Sequence, residues 1–326
     1  MKFQLFNLKP FDMKKNLFST SILLLMLFCL CACGNRNSNK SKQDVDHAIA
    51  ELKTVFINGD SISYMDIGKG EPVVFVHGTV GDYRTWAAQM DTFSINHRVI
   101  AYSRRYAYPN KQIINDSTDY SVTAHAKDLT QFLKTLDIGP VHLMGHSFGA
   151  STALITALAH PELLRSLTLG EPAVMSLLQN VPDGGKILND FAAKVFIPTA
   201  EAFNNNNDKK AVELFVGGVL GDSLSFSQAP QQQRDIMLDN ILELRAVVSE
   251  ENIFPPLACD YIKTLKTPVL LLKGDRSPEL LTTMIDELAT CIENNELATL
   301  PNSSHGLEFE NPLEFNKLVL DFINKH

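Results

Sequence analysis

From residue 73 onward the chain carries short aliphatic or β-branched runs at 73–76, 98–102, 141–144, 165–169, 269–272 and 297–300, none of them cleanly alternating. A strand covered on both faces has no reason to alternate, so these runs predict the inner strands of a sheet. Between them, 83–91, 121–136, 148–159, 279–291 and 312–323 place apolar residues three and four apart, the spacing of a helix with one buried stripe. Ahead of them, 53–57 and 62–66 do alternate. Asn58-Gly59-Asp60 separates the two, so the body opens with an antiparallel hairpin. Strand and helix then take turns, which predicts an α/β protein: a mostly parallel sheet with helices on both faces.

The alternation stops between residues 172 and 266. That segment shows helical spacing at 187–203, 209–219 and 231–248, an asparagine run at 204–207 that reads as a solvated loop, and no strand. The expected organisation is a core made of 51–171 and 267–326, with 172–266 inserted as a helical cap. At 45% hydrophobic and 20% charged residues the chain has the composition of a packed globular protein. Its net charge of -8 gives no broad footprint for a phosphate backbone, so nucleic acid is not an expected partner.

The N-terminus reads as a targeting segment. Lys14 and Lys15 precede an apolar run at 22–30, which is short for a bilayer-spanning helix and suits a signal peptide. Leu30-Cys31-Ala32-Cys33 closes it and resembles the lipobox of bacterial lipoproteins, with Cys31 where a small residue is more usual. The resemblance implies that 1–33 is a signal peptide with its lipobox cysteine, that Cys33 is acylated, and that the protein is held at a membrane of the bacterial cell envelope. Residues 34–50 are polar and read as a flexible tether. Of the five cysteines only Cys259 and Cys291 lie in the body. An oxidising compartment would let them pair, but a core of this size needs no staple, and they are read as two buried free thiols.

Gly145-His146-Ser147-Phe148-Gly149 follows the run 141–144 and opens the helix 148–159. A strand-to-helix turn this tight needs small neighbours and lifts its central side chain off the sheet edge, which makes Ser147 a nucleophile rather than a helix cap. With this turn the chain resembles the α/β-hydrolase family over residues 51–326. The resemblance implies an oxyanion hole after the first core strand, where His77-Gly78-Thr79 stands. Its donors would be the backbone N–H groups of Thr79 and Phe148, with Val80 as the substitute, and His77 would hold the loop. It also implies a general base after the last strand, and Ser303-Ser304-His305-Gly306 supplies His305.

For the acid the resemblance leaves a choice. Many members place an aspartate three residues after a glycine that ends the strand following the cap, but here Gly274 plus three is Ser277, and Asp275 falls two residues early. Others place it at the end of the strand before the cap, where Leu169-Gly170-Glu171-Pro172 offers Glu171. Glu171 is favoured, with Asp275 as the alternative and Asp260 behind it. Arg104 and Arg105, in the loop after 98–102, read as structural ion-pair formers ahead of a clamp for a substrate carboxylate. Trp86 is read as core. His146 is read as shaping the turn, and His47, His97, His125, His142 and His160 as structural; no histidine or carboxylate spacing points to a metal or other cofactor. The expected activity is serine hydrolysis of an ester of a small or medium acid. Thioester, lactone or C–C bond hydrolysis, and a binding lipoprotein that lost catalysis, stay open as alternatives.

Overall fold

The computed structural model describes residues 51–112, 115, 118–250 and 252–326; the expected signal peptide, Cys33 and the tether lie outside the described residues. Strands β1 (Lys53–Ile57) and β2 (Asp60–Gly68) form the opening hairpin through Asn58-Gly59. They are followed by β3 (Pro72–Val76), β4 (Arg98–Tyr102), β5 (Val141–His146), β6 (Leu164–Gly170), β7 (Val269–Gly274) and β8 (Asn295–Leu300). The eight strands make one sheet in the order β1-β2-β4-β3-β5-β6-β7-β8. The pairs β1–β2 and β2–β4 are antiparallel and every other pair is parallel.

The missing alternation has a direct cause. Val74, Val76, Ile100, Tyr102, Leu143, Leu167, Leu169 and Leu271 face one apolar core, while their neighbours Val73, Phe75, Val99, Ala101, Met144, Leu270 and Leu272 face another. Helices α1 (Ala87–Phe93), α2 (Val122–Leu136) and α3 (Phe148–Ala159) contribute to these cores. Trp86 is fully buried with its ring 4.9 Å from Phe75, in the core as expected.

Between β6 and β7 the described residues hold helices and no strand: α4 (Gly184–Phe191), α5 (Ile197–Asn204), α6 (Asp208–Leu220), α7 (Ser225–Gln228), α8 (Gln231–Asp239), α9 (Ile241–Ser249) and α10 (Cys259–Ile262). After β7 come α11 (Glu279–Cys291), α12 (Leu307–Glu310) and α13 (Pro312–Ile323). Two helices expected as single runs are interrupted. A π-helical turn, Ala192–Phe196, divides α4 from α5, and Asn240 divides α8 from α9. The second break is a tertiary effect: the Asn240 amide donates to Asp82 Oδ2 and to the Ile236 carbonyl, both at 2.7 Å, and its oxygen accepts from Tyr108 N at 2.7 Å. Asn207, the last of the asparagine run, accepts from Lys210 N and caps α6.

One expectation is corrected. Cys259 and Cys291 are not free thiols but a disulfide, with their Cα atoms 5.2 Å apart, tying α10 to the end of α11. Among the described residues no helix is long and apolar enough to cross a membrane.

Candidate active site

The strand order places the site. From β3 the chain goes to β4 on one side and later to β5 on the other, so a crevice opens where the connections part, outside the carboxyl ends of β3 and β5. His77-Gly78-Thr79 leaves β3 at that point, and Ser147 leaves β5.

Ser147 has φ 54° and ψ -121°, a conformation that a residue with a Cβ adopts only at a cost of about 1 to 3 kcal/mol. Its amide donates to the Gly170 carbonyl at 2.7 Å, which anchors the turn on β6. Glycine at 149 is forced by close approach: a Cβ there would lie 2.3 Å from the Val76 carbonyl oxygen and 2.4 Å from that of His77. The turn therefore packs directly on the end of β3, and Thr79, Ser147 and His305 line one cavity of about 220 Å³.

Glu171 continues from β6 with φ 43°, and its side chain is fully buried. Oε1 accepts from Gly274 N at 2.9 Å, and Oε2 lies 2.6 Å from His305 Nδ1. An ionised carboxylate only accepts, so a neutral imidazole facing it carries its proton on Nδ1 and keeps its lone pair on Nε2. His305 can approach because Gly274 has no side chain; a Cβ there would sit 2.2 Å from the Ser303 carbonyl oxygen.

The other two carboxylates are elsewhere. Asp275 Oδ1 accepts from Ser303 N at 3.1 Å and its side chain is 43% exposed, so it braces the loop rather than the imidazole. Asp260 is 95% exposed beside Lys263. Gly274, read from the sequence only as a register mark, turns out to supply the amide that orients Glu171. No sequence signal could have announced this, since nearly every residue carries an amide.

The loop after β3 is held by Arg104, whose side chain is fully buried. Its Nε donates to the His77 carbonyl at 3.0 Å and Nη2 to the Gly78 carbonyl at 2.9 Å, while Nη2 also pairs with Glu243 Oε2 of α9 at 2.5 Å. The guanidinium lies over the Phe148 ring, 4.5 Å from its centroid. Arg104 N donates to His77 Nε2 at 2.9 Å, and burial together with the Arg104 charge pushes the His77 pKa well below the usual histidine value. His77 is therefore a neutral loop-holding residue. Arg105 pairs with Asp128 and with Asp60. Both arginines are held in ion pairs, and neither lines the cavity that Ser147 borders.

The cavity walls are largely apolar, with Val216, Leu220 and Ile236 from the helical insertion. Arg84 also reaches it but is occupied by Asp82 at 2.6 Å and Asp239 at 2.8 Å. Ser147 also borders a chamber of about 40 Å³, lined by Thr79, Phe148 and the rings of Phe191, Phe196, Phe215 and Phe254. Among the described residues no group of His, Cys, Asp and Glu side chains is placed to hold a metal ion.

Comparison with known proteins agrees with this architecture. The family model for the alpha/beta hydrolase fold matches residues 71–312. The serine hydrolase BPHL of Mus musculus is 25% identical over 82% of this chain and 85% of its own length. Ethanol acetyltransferase 1 of Cyberlindnera jadinii is 24% identical over 78% of this chain and 80% of its own. Among solved structures, a thermophilic esterase from Thermogutta terrifontis superposes with TM-score 0.67 at 20% identity, covering 85% of this chain and 99% of the esterase. Carboxylesterase CesB of Bacillus subtilis does so with TM-score 0.67 at 19% identity, covering 85% and 92%.

Proposed function

The chain belongs to the α/β-hydrolase fold family, and on that footing we propose that it is a serine hydrolase acting on esters of small or medium acids. The observation that carries this reading is the buried 2.6 Å contact between Glu171 and His305, residues 134 apart in sequence, on the cavity that Ser147 lines. In the proposed reaction Ser147 Oγ attacks the acyl carbonyl while His305 Nε2 takes its proton. The oxyanion is met by the amides of Thr79 and Phe148, and the alkoxide leaves with the proton returned by His305. Water then repeats the sequence on the acyl-enzyme. Glu171 stabilises the imidazolium through both half-reactions.

The small apolar chamber beside Phe148 supports a short acyl group, and the larger cavity supports a bulkier alcohol portion. The neutralised Arg84 speaks against a free carboxylate on the substrate. On a series of p-nitrophenyl esters, kcat/KM is expected to be highest from acetate to butyrate. It should fall by about tenfold or more for a long acyl chain, since each methylene is worth about 0.8 kcal/mol only where a pocket can bury it. A protein that neither hydrolyses any of these esters nor labels with a fluorophosphonate probe would instead be the binding lipoprotein.

We also place the enzyme at a membrane of the bacterial envelope through lipid on Cys33. Two or three acyl chains, at about 0.8 kcal/mol per buried CH₂, make a lasting anchor. Cys33→Ser is expected to shift the protein from the membrane to the soluble fraction or to stall processing. A mature N-terminus elsewhere, read by mass spectrometry, would refute the anchor.

A further inference from the structure

The His305–Glu171 pair has a second histidine–glutamate pair beside it. The rings of His146 and His305 lie 4.6 Å apart between centroids. His146 Nε2 is 2.7 Å from the backbone carbonyl oxygen of His305, and its Nδ1 is 3.2 Å from Oε1 of Glu308 on α12. Glu308 is 1% exposed and lines the Ser147 cavity. With Glu308 ionised, both atoms that face the ring nitrogens are acceptors, since neither the carbonyl oxygen nor the carboxylate then has a proton to give. A neutral imidazole owns one N–H and can satisfy only one of them. The imidazolium, with two, satisfies both.

We propose that His146 and Glu308 form a second ion pair whose role is to position the general base: it grips the backbone of His305 and does so fully only while His146 carries two protons. The inference rests on the hydrolase reading above and deepens it. His146 and Glu308 are positioning residues, acting through His305 rather than on the substrate.

The groups facing His146 are consistent with the doubly protonated ring. Glu308 approaches from α12, Glu171 from the end of β6, and His305 from the loop after β8; on the β3 side Gly78 comes against the ring. Burial alone would lower the His146 pKa, but the Glu308 carboxylate, helped by Glu171 and the His305 carbonyl, outweighs it, and the net shift is upward. A raised pKa moves the release of the proton to higher pH, and the ring gives it up as pH rises through the raised value. Past that point one of the two contacts fails, and kcat should fall with it.

Glu308→Gln separates this role from a merely structural one. The glutamine N–H can donate to Nδ1 of a neutral His146, whose Nε2–H still reaches the His305 carbonyl, so the grip no longer needs the second proton. Glu308→Ala leaves Nδ1 without a partner. A small misplacement of a reacting group costs up to about 100-fold, so Glu308→Ala is expected to lose about 10- to 100-fold in kcat at pH 7 with KM within about twofold. Glu308→Gln should lose only about threefold and should lack the alkaline fall that the wild type shows. Histidine ¹⁵N spectra, with the His146 signal assigned from a His146→Gln variant, should show an imidazolium at pH 7.5 in the wild type and a neutral ring in Glu308→Gln. A neutral His146 in the wild type, or identical pH profiles for wild type and Glu308→Gln, would overturn the proposal. A wild type that hydrolyses no ester but still shows the imidazolium would overturn the hydrolase reading, and the positioning role with it, while the ion pair itself would stand.

Discussion

Ser147→Ala is expected to reduce ester turnover by on the order of 10⁴- to 10⁶-fold while leaving the folded structure in place. The loss is large because the covalent step has no substitute. Ser147 occupies the turn between β5 and α3 and borders both the larger cavity and the small apolar chamber. The donors proposed for the oxyanion would remain, so a residual rate above water is expected from binding and electrostatics alone. Folding should hardly change: alanine meets the same φ of 54° that serine tolerates, and the amide still reaches the Gly170 carbonyl. The check is a single-substrate kinetic comparison beside a thermal melt, together with loss of fluorophosphonate labelling. A variant retaining a tenth of wild-type turnover would remove Ser147 from the mechanism.

Glu171→Gln should lose about 10³- to 10⁴-fold in kcat, and Asp275→Asn no more than a few-fold. The reason lies in the two bonds of the Glu171 carboxylate. Gly274 N donates to Oε1, so a glutamine must turn its carbonyl oxygen toward that amide and its NH₂ toward His305 Nδ1. The imidazole then has to accept at Nδ1 and carry its proton on Nε2, the nitrogen that must receive the proton of Ser147. The wrong tautomer is locked in, and the charge that would stabilise the imidazolium is gone. Asparagine at 275 keeps an oxygen for Ser303 N, so the loop holding His305 stays braced. Both variants measured on one activated ester decide the matter. A crippled Asp275→Asn beside a near-normal Glu171→Gln would reverse the assignment, and two near-normal variants would leave a Ser–His dyad.

Whatever depends on neighbours along the chain was legible in the sequence. The unalternating runs announced strands covered on both faces, because alternate residues of β3, β4, β5 and β7 enter two apolar cores. The glycines at 145 and 149 announced the turn that carries Ser147: the crowding of Gly145 against Gly149 and Ala150 is a local matter, whereas that of Gly149 against the end of β3 appears only in the fold. What joins distant segments was not legible. The spacing around Gly274 and Gly170 left Glu171, Asp275 and Asp260 as candidates. Only the pairing of β6 with β7, which sets Leu272 opposite Gly170 and brings Gly274 N to Glu171, shows which carboxylate meets the imidazole. The same holds for the Cys259–Cys291 bond, for the helix break at Asn240, and for the contact between His146 and Glu308. Periodicity and turn chemistry are properties of adjacent residues and are written along the chain. The distance between side chains 32 or 134 positions apart is set by how the sheet stacks its strands and by what then fills the space, and no local pattern holds that information.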